Sequence, residues 1–293
     1  MKNEFKKFES QFEEAVQTLI VLTGGSGSSA GKAGKEVLWT ASQTIIAYID
    51  CDTNQLVEAE GRLEWLAEDS QRSGWIYNLK GKNNYLVKVK KRKPGRKEDY
   101  QELIENGAIT EPPTFEHYFQ LLEVTEREIN NSRLEEVLKK YETPVFVVDQ
   151  QLGEFEYNKE LHFFEGYIDW LGCETSVYLD ESTAEKEGHT ADDALKTLHC
   201  LVERVEDWDK KLRKFAAKKL VELANDWLQD SDEEEPESIT EEDFAKRIEI
   251  SELAIHENGE FEAYYYDDDM FWGHIIIIDG NIDGELADAY IAG

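Results

Sequence analysis

An α+β protein in two parts is what this sequence of 293 residues predicts, on three observations. Short stretches that alternate apolar and polar side chains, the mark of half-buried strands, recur through both halves. One long run, 198–227, instead repeats apolar residues at steps of three and four, as an amphipathic helix does. Between the halves, Thr143-Pro144 interrupts the pattern near the middle of a chain about twice the length of a typical domain. We therefore expect a mainly-β domain over residues 1–143 and an acidic α+β domain over 144–293. The second should run β3-α-β3, with helices packed on an antiparallel sheet.

The first domain opens with a short lead-in and a strand at 15–23. Gly24-Gly25-Ser26-Gly27-Ser28-Ser29-Ala30-Gly31-Lys32 follows, and a Gly-rich loop with a lysine after a strand invites a phosphate-cradling reading. The spacing rejects it. The first glycine of such a loop falls on Ser26 or Ser29, and Ala33 or Glu36 stands where Ser or Thr is needed. A flexible connection between strands is the simpler expectation. Further strands are expected at 38–49, 55–66, 74–79, 85–89 and 119–125, and Asn131 or Ser132 should cap a helix running to Lys140. From Arg72 to Lys97 there are ten basic residues and no acidic one. Trp75, Tyr77 and Tyr85 would stack on bases if that strip met nucleic acid. Lysines guarding a sheet edge, or a dock for the acidic half, account for it better, so direct nucleic-acid binding is not the expectation.

In the second domain, 152–157, 163–170 and 175–179 read as a three-strand meander. Thr190 begins a capping-box sequence, and the helical run after it should bend near Asp207-Trp208-Asp209. An acid-rich linker occupies 230–236, and Thr240 should cap one more helix. Strands at 249–256 and 260–266 flank Asn258-Gly259, a strong hairpin signal, and two more are expected at 272–278 and 286–291.

Charge is distributed unevenly. Residues 1–143 carry 20 Lys+Arg against 24 Asp+Glu, whereas 144–293 carry 12 against 40, so most of the net charge of −32 lies in the second half. Such a field repels nucleic acid and anionic membranes and attracts cationic partners. No apolar run is long enough to span a bilayer, and Glu9, Glu13 and Glu14 sit where a secretory leader would be uncharged; a soluble cytoplasmic protein is expected. Cys51, Cys173 and Cys200 are widely spaced and odd in number, which argues against a disulfide framework or a cysteine zinc site and for three small buried hydrophobes.

Three segments occur in an order that carries a resemblance. They are Glu165-Gly166-Tyr167-Ile168-Asp169-Trp170-Leu171-Gly172; the stretch from Trp208-Asp209-Lys210-Lys211 to Leu223-Ala224-Asn225-Asp226-Trp227; and Phe271-Trp272-Gly273-His274 with Gly280-Asn281-Ile282-Asp283-Gly284-Glu285-Leu286. Over roughly residues 150–293 the chain resembles the bacterial domain-of-unknown-function family 2262. That family has no established activity, so the resemblance assigns no catalytic residue. It implies a small acidic bacterial protein of the kind found among toxin-neutralising immunity proteins. The N-terminal half resembles no family we can name.

The stretch 264–293 combines the densest aromatic run with ordered carboxylates. Asp279-x-Asn281-x-Asp283-Gly284 matches the first positions of a calcium loop, making Asp279, Asn281 and Asp283 the candidate metal ligands. Tyr290 stands where the bidentate Glu belongs, however, and a turn built from Asp, Gly and Asn explains the same residues with no cofactor. His274 with Asp267, Asp268 and Asp269 is a thin transition-metal set, and Glu165 with Asp169 or Glu260 with Asp269 are candidate acid–base pairs. Trp170, Trp208, Trp227 and Trp272 are expected in the core.

A binding protein is therefore expected ahead of an enzyme. Asp267, Asp268, Asp269, Asp279, Asp283 and Glu285 would meet the lysines and arginines of a basic protein partner, such as a toxin domain, with aromatics anchoring the contact. Two alternatives stay open: a metal-dependent hydrolase built on the same Asp/His cluster, and a mimic of nucleic-acid charge. The sequence carries no signal for oligomeric state.

Overall fold

The structure, a computed structural model, describes residues 2–182, 188–229 and 238–293. The acid-rich linker at 230–236 lies outside the described residues. The chain divides into two compact units, Met1–Thr143 and Pro144–Gly293. Among the described residues no helix is long and apolar enough to cross a membrane.

The first unit runs α1 (Lys2–Glu9), β1 (Phe12–Thr23), β2 (Ser29–Gly31), β3 (Trp39–Asp50), β4 (Leu56–Val57), β5 (Gly61–Ala67), β6 (Asn84–Arg92), α2 (Gln101–Glu105), β7 (Tyr118–Arg127) and α3 (Ser132–Glu142). Its strands follow the order β1-β6-β7-β5-β3, and β3 pairs back with β1, so the sheet closes into a five-stranded Greek-key barrel. Only the β5–β7 joint is parallel. Inward alternation fills the barrel with Leu19, Val21, Ile45, Leu63, Trp65, Val87 and Phe119. Gly61 is required at the parallel joint, because a Cβ there would lie 2.2 Å from the carbonyl oxygen of His117. As expected, Asn131 caps α3, accepting from the N–H groups of Arg133 and Leu134.

Three expectations for this unit are corrected. Strand β6, which carries much of the basic strip, lies between β1 and β7 and is not an edge, since barrel closure leaves it paired on both sides. The Gly-rich segment is tied down: it forms β2, Gly24 N–H donates to Thr44 O at 2.9 Å and Gln43 Nε2 to Ser26 O at 2.8 Å. Residues 74–79 are not a strand, because Trp75, Ile76 and Asn78 adopt positive φ. Their apolar alternation comes from Trp75, Tyr77 and Leu79 packing onto the barrel core; Trp65 Nε1 donates to Trp75 O and Tyr77 Oη to Leu122 O.

The second unit runs β8 (Phe146–Asp149), β9 (Gly153–Asn158), β10 (Phe163–Trp170), β11 (Cys173–Asp180), α4 (Asp192–Val202), α5 (Val205–Gln229), α6 (Glu241–Arg247), β12 (Glu249–Ile255), β13 (Glu260–Tyr266), β14 (Ile275–Asn281) and β15 (Leu286–Ala292). It is α+β as expected, with four strands on either side of the helices: the four after the helices lie close to the four stretches expected there, and one strand more than the expected three precedes them. Strand β8 was missed because it is four residues long and half of it is exposed. The eight-stranded sheet has the order β15-β14-β13-β12-β11-β10-β9-β8. It is antiparallel except at its centre, where β11 and β12 pair parallel, and the three helices make the crossover that a parallel pair needs.

The helices cover one face. Trp208, Leu212, Ala216 and Leu220 of α5, Leu198 and Leu201 of α4 and Phe244 of α6 pack with Phe155, Phe164, Trp170, Val177, Leu253, Phe261, Tyr265 and Ile276 of the sheet. A polar clamp crosses this core: Trp170 Nε1 donates to Asp209 Oδ1 at 3.1 Å, Asp209 Oδ2 pairs with Arg213 Nε at 2.7 Å, and Arg213 also donates to Ile248 O. Thr240 forms its capping box with Asp243 as expected, whereas α4 is capped at Ala191 with no side-chain bond, so Thr190 does not cap. The break between α4 and α5 falls at Glu203-Arg204 and not near Asp207. Cys51 and Cys200 are exposed and Cys173 is half-buried, against the expected burial; all three are free thiols.

Candidate interaction face

The face of the second sheet turned away from the helices is set by strand alternation. Because Phe155, Phe164, Val177, Leu253, Phe261 and Ile276 point into the core, their neighbours in sequence point out. Those neighbours are Glu156 on β9, Glu165 and Tyr167 on β10, Tyr178 on β11, Glu252 on β12, Glu262 and Tyr264 on β13, Asp279 on β14, and Asp288 and Tyr290 on β15. None of the eight strands contains a lysine or an arginine. Helix α5 by contrast carries Lys210, Lys211, Arg213, Lys214, Lys218 and Lys219.

On this open face the register sets carboxylates against carboxylates. Glu156 pairs with Glu165, Asp169 with Glu174, and Glu262, Asp279 and Asp288 form a row across three strands. Like charges directly opposite one another destabilise a sheet. Burial, then the charges of Glu262 and Asp288, push the Asp279 carboxyl above the usual carboxylate range, and its buried Oδ1 has no hydrogen-bond partner. Tyr264 donates to Glu262, and burial reinforced by that bond pushes its phenol upward. Burial also raises Tyr178 and Tyr290, helped by neighbouring carboxylates. At the rim Lys219 reaches Asp288 at 3.1 Å, which holds that carboxyl below its usual range. A cleft of about 380 Å³ opens at one end of the face, with Tyr167, Asp169 and Glu174 on its wall and Leu152 and Val202 behind them.

The residues that sequence reasoning selected at the C-terminal turns separate into three groups. Asp267 is buried, and its carboxylate accepts from the N–H groups of Phe271 at 2.7 Å and of Asp269 and Gly273 at 3.2 Å. It holds the β13–β14 turn, whose Asp268, Asp269, Trp272 and Gly273 have positive φ, and is not available to a partner. Asp268 is engaged by Arg247, 2.7 Å from Nε to its carboxylate. Asp269, Asp283 and Glu285 are exposed at turns, and Asp279 belongs to the open face.

Nor do the proposed metal ligands assemble. Asp279 lies within β14, while Asn281 Oδ1 accepts from Asp283 N–H at 3.0 Å to build the next turn. His274 sits in a turn and not on a strand face with Trp272; its Nδ1 meets Phe271 O at 2.6 Å and its ring lies against Trp227. Among the described residues no group of three or more His, Cys, Asp and Glu side chains is placed to hold a metal ion. Glu165 and Asp169 are four residues apart on one strand, about 13 Å, beyond the spacing of glycosidase carboxylate pairs. Trp170 and Trp208 are buried as expected, but Trp272 is 62% exposed, its ring tilted against that of Trp227 at 4.7 Å.

One cluster escaped sequence reasoning because its members come from the end of β9, the turn after it and the segment following β11, at no motif spacing. Tyr157 Oη donates to Glu181, meets His162 Nδ1 at 3.1 Å, and its ring stacks on His189 at 4.0 Å. His189 Nδ1 lies 2.5 Å from Glu181 Oε1. Glu181 is held below the usual range, its burial being outweighed by the bonds from Tyr157 and His189. The open-face residues were equally hidden, although the absence of cations from every strand of the second half was a signal in the sequence.

Residues 4–141 match a family described as a domain of unknown function (DUF7021). No curated protein and no solved structure matches the chain. Residues 149–291 match a family described as an uncharacterized protein conserved in bacteria (DUF2262), the family that the sequence of the second half resembles.

Proposed function

We propose that the second unit is a protein-binding module whose open sheet face captures a basic partner protein, as an immunity-type protein neutralises a toxin by covering its working surface. The observation that carries this reading is an extended face of carboxylates and tyrosines from which lysine and arginine are missing. Its like-charge registers lower the stability of the free sheet, and a cationic partner would relieve them. Tyrosines are suited to anchor such a contact, being large, rigid and able to hydrogen-bond, and Tyr167 and Tyr266 are 66% and 57% exposed. The cleft beside Asp169 and Glu174 would take a partner lysine or arginine side chain. Charge on this scale chiefly speeds encounter, so capture should weaken as salt rises. We propose the cytoplasm as its compartment, which three free thiols support.

The test is affinity capture from a lysate of the native host at low salt, followed by quantitative binding of whatever basic protein is retained. Paired reversal of Glu165→Lys and Glu252→Lys should weaken that binding about a hundredfold, whereas Glu222→Lys and Glu206→Lys on α5 should leave it within about threefold. Equal loss in both pairs, or retention of no basic protein, would sink the reading. Displacement of the partner by duplex DNA would turn it toward a mimic of nucleic-acid charge.

A further inference from the structure

The basic strip of the first unit leads to a different site. Half of its cations are paired within that unit: Arg72 with Asp69, Lys82 with Glu142, Lys88 with Glu123, Arg92 with Glu64 and Arg96 with Asp99. Where the strip ends, a cleft of about 690 Å³ opens between the end of α1 and the chain leaving β6. It is lined by Lys7, Arg92, Lys93, Arg96, Tyr100 and Phe115, with Asp99 as its one acidic lining residue.

The floor of this cleft is built. Arg92 Nη1 is 2.7 Å from Glu64 Oε2, Nη2 donates to Gln11 Oε1 at 3.1 Å, and the guanidinium lies 4.0 Å from the Phe115 ring centroid. Two of its five N–H donors are thus used and the fork is fixed in place. Glu64 is almost fully buried, so this pairing holds Arg92 on a rigid strand and not on a mobile loop. Above it, Lys93 Nζ spends one proton on Ser10 O at 2.9 Å, and Lys7 makes no ion pair with any described residue. The backbone is closed tightly beside them: a Cβ on Gly95 would lie 2.7 Å from the Tyr100 ring.

The geometry points to a binding site for a small, multiply charged phosphorylated ligand of nucleotide size. The volume is that of a pocket for a whole small molecule, much larger than an inorganic ion needs. Ammonium groups and a fixed guanidinium fork are the donors that phosphate oxygens select; with Arg92 paired to Glu64 and Arg96 to Asp99, Lys7 and Lys93 remain as two uncompensated charges, which call for more than a single negative charge on the ligand. The acidity of the chain as a whole does not oppose this, because at physiological salt charges beyond about 8 Å are largely screened. This site is independent of the acidic face and would survive the failure of that reading.

Calorimetric titration of the full chain with ATP, inorganic triphosphate and adenosine tests it. ATP and triphosphate should bind, more weakly as salt rises, and adenosine should not. Lys7→Ala with Lys93→Ala, both exposed and outside the core, should weaken ATP binding about tenfold or more, while Lys139→Ala with Lys140→Ala on α3 should not change it. The inference is overturned if ATP fails to bind, if adenosine binds as ATP does, or if the Lys7/Lys93 variant binds like the parent. Tighter binding of a single-stranded oligonucleotide than of ATP would also overturn it, assigning the strip to nucleic acid.

Discussion

Both units set charged side chains opposite one another across neighbouring strands, but under contrary rules. In the barrel Lys88 on β6 faces Glu123 on β7, and the two are 2.8 Å apart. In the open sheet Glu262 faces Asp279, which faces Asp288. The first arrangement satisfies its charges internally; in the second Lys219 reaches Asp288 at the rim, while Glu262 and Asp279 have no cationic partner among the described residues. Closure explains part of the difference, since the barrel has no exposed inner face and its outer charges need only stay solvated, whereas the described helices of the second unit cover only one face of its sheet.

The largest effect is expected at the barrel joint. Gly61→Ala should cost about 3 kcal/mol, because the added methyl meets backbone that cannot move without opening the β5–β7 pair. Hydrogen exchange followed peptide by peptide should show the loss in the first unit alone. Unchanged protection there would mean that closure is not what holds the barrel.

A smaller effect of opposite sign is expected in the sheet. The Asp279 carboxyl is raised in the folded protein, so the folded form holds its proton to a higher pH than the unfolded chain does. Its contribution is unfavourable at neutral pH, is relieved as pH falls through the raised folded value, and is fully relieved below the unfolded one. Asp279→Asn should therefore stabilise β13–β15 by about 1 kcal/mol at neutral pH and flatten the gain that the parent shows on mild acidification. A destabilised variant would mean that Asp279 makes a favourable contact in the free protein.

The smallest effect belongs to the exposed barrel pair. Lys88→Ala should cost about 0.5 kcal/mol at low salt and less at high salt, as exposed ion pairs do. A loss above about 2 kcal/mol would show that the pair is structural and contributes more than an exposed ion pair does.

Local signals were legible wherever one side chain settles one backbone feature. Asn131 and Thr240 cap their helices, and Asn258-Gly259 makes its hairpin, with Gly259 at positive φ. They failed where a long-range partner decides. Residues 74–79 alternate like a strand because Trp75, Tyr77 and Leu79 pack against the barrel, a fact visible only once the barrel exists. Asp267 looked like a surface carboxylate, yet three backbone N–H groups of its own turn had claimed it.

The fold class of the second half and the concentration of acidity there could be read from residues alone. Periodicity and composition are sums over neighbouring residues and need no partner. Which carboxylates meet, which cations are already paired, and where the two clefts open were decided by strand register and barrel closure. A shift of one residue in either would turn every one of those side chains to the other face.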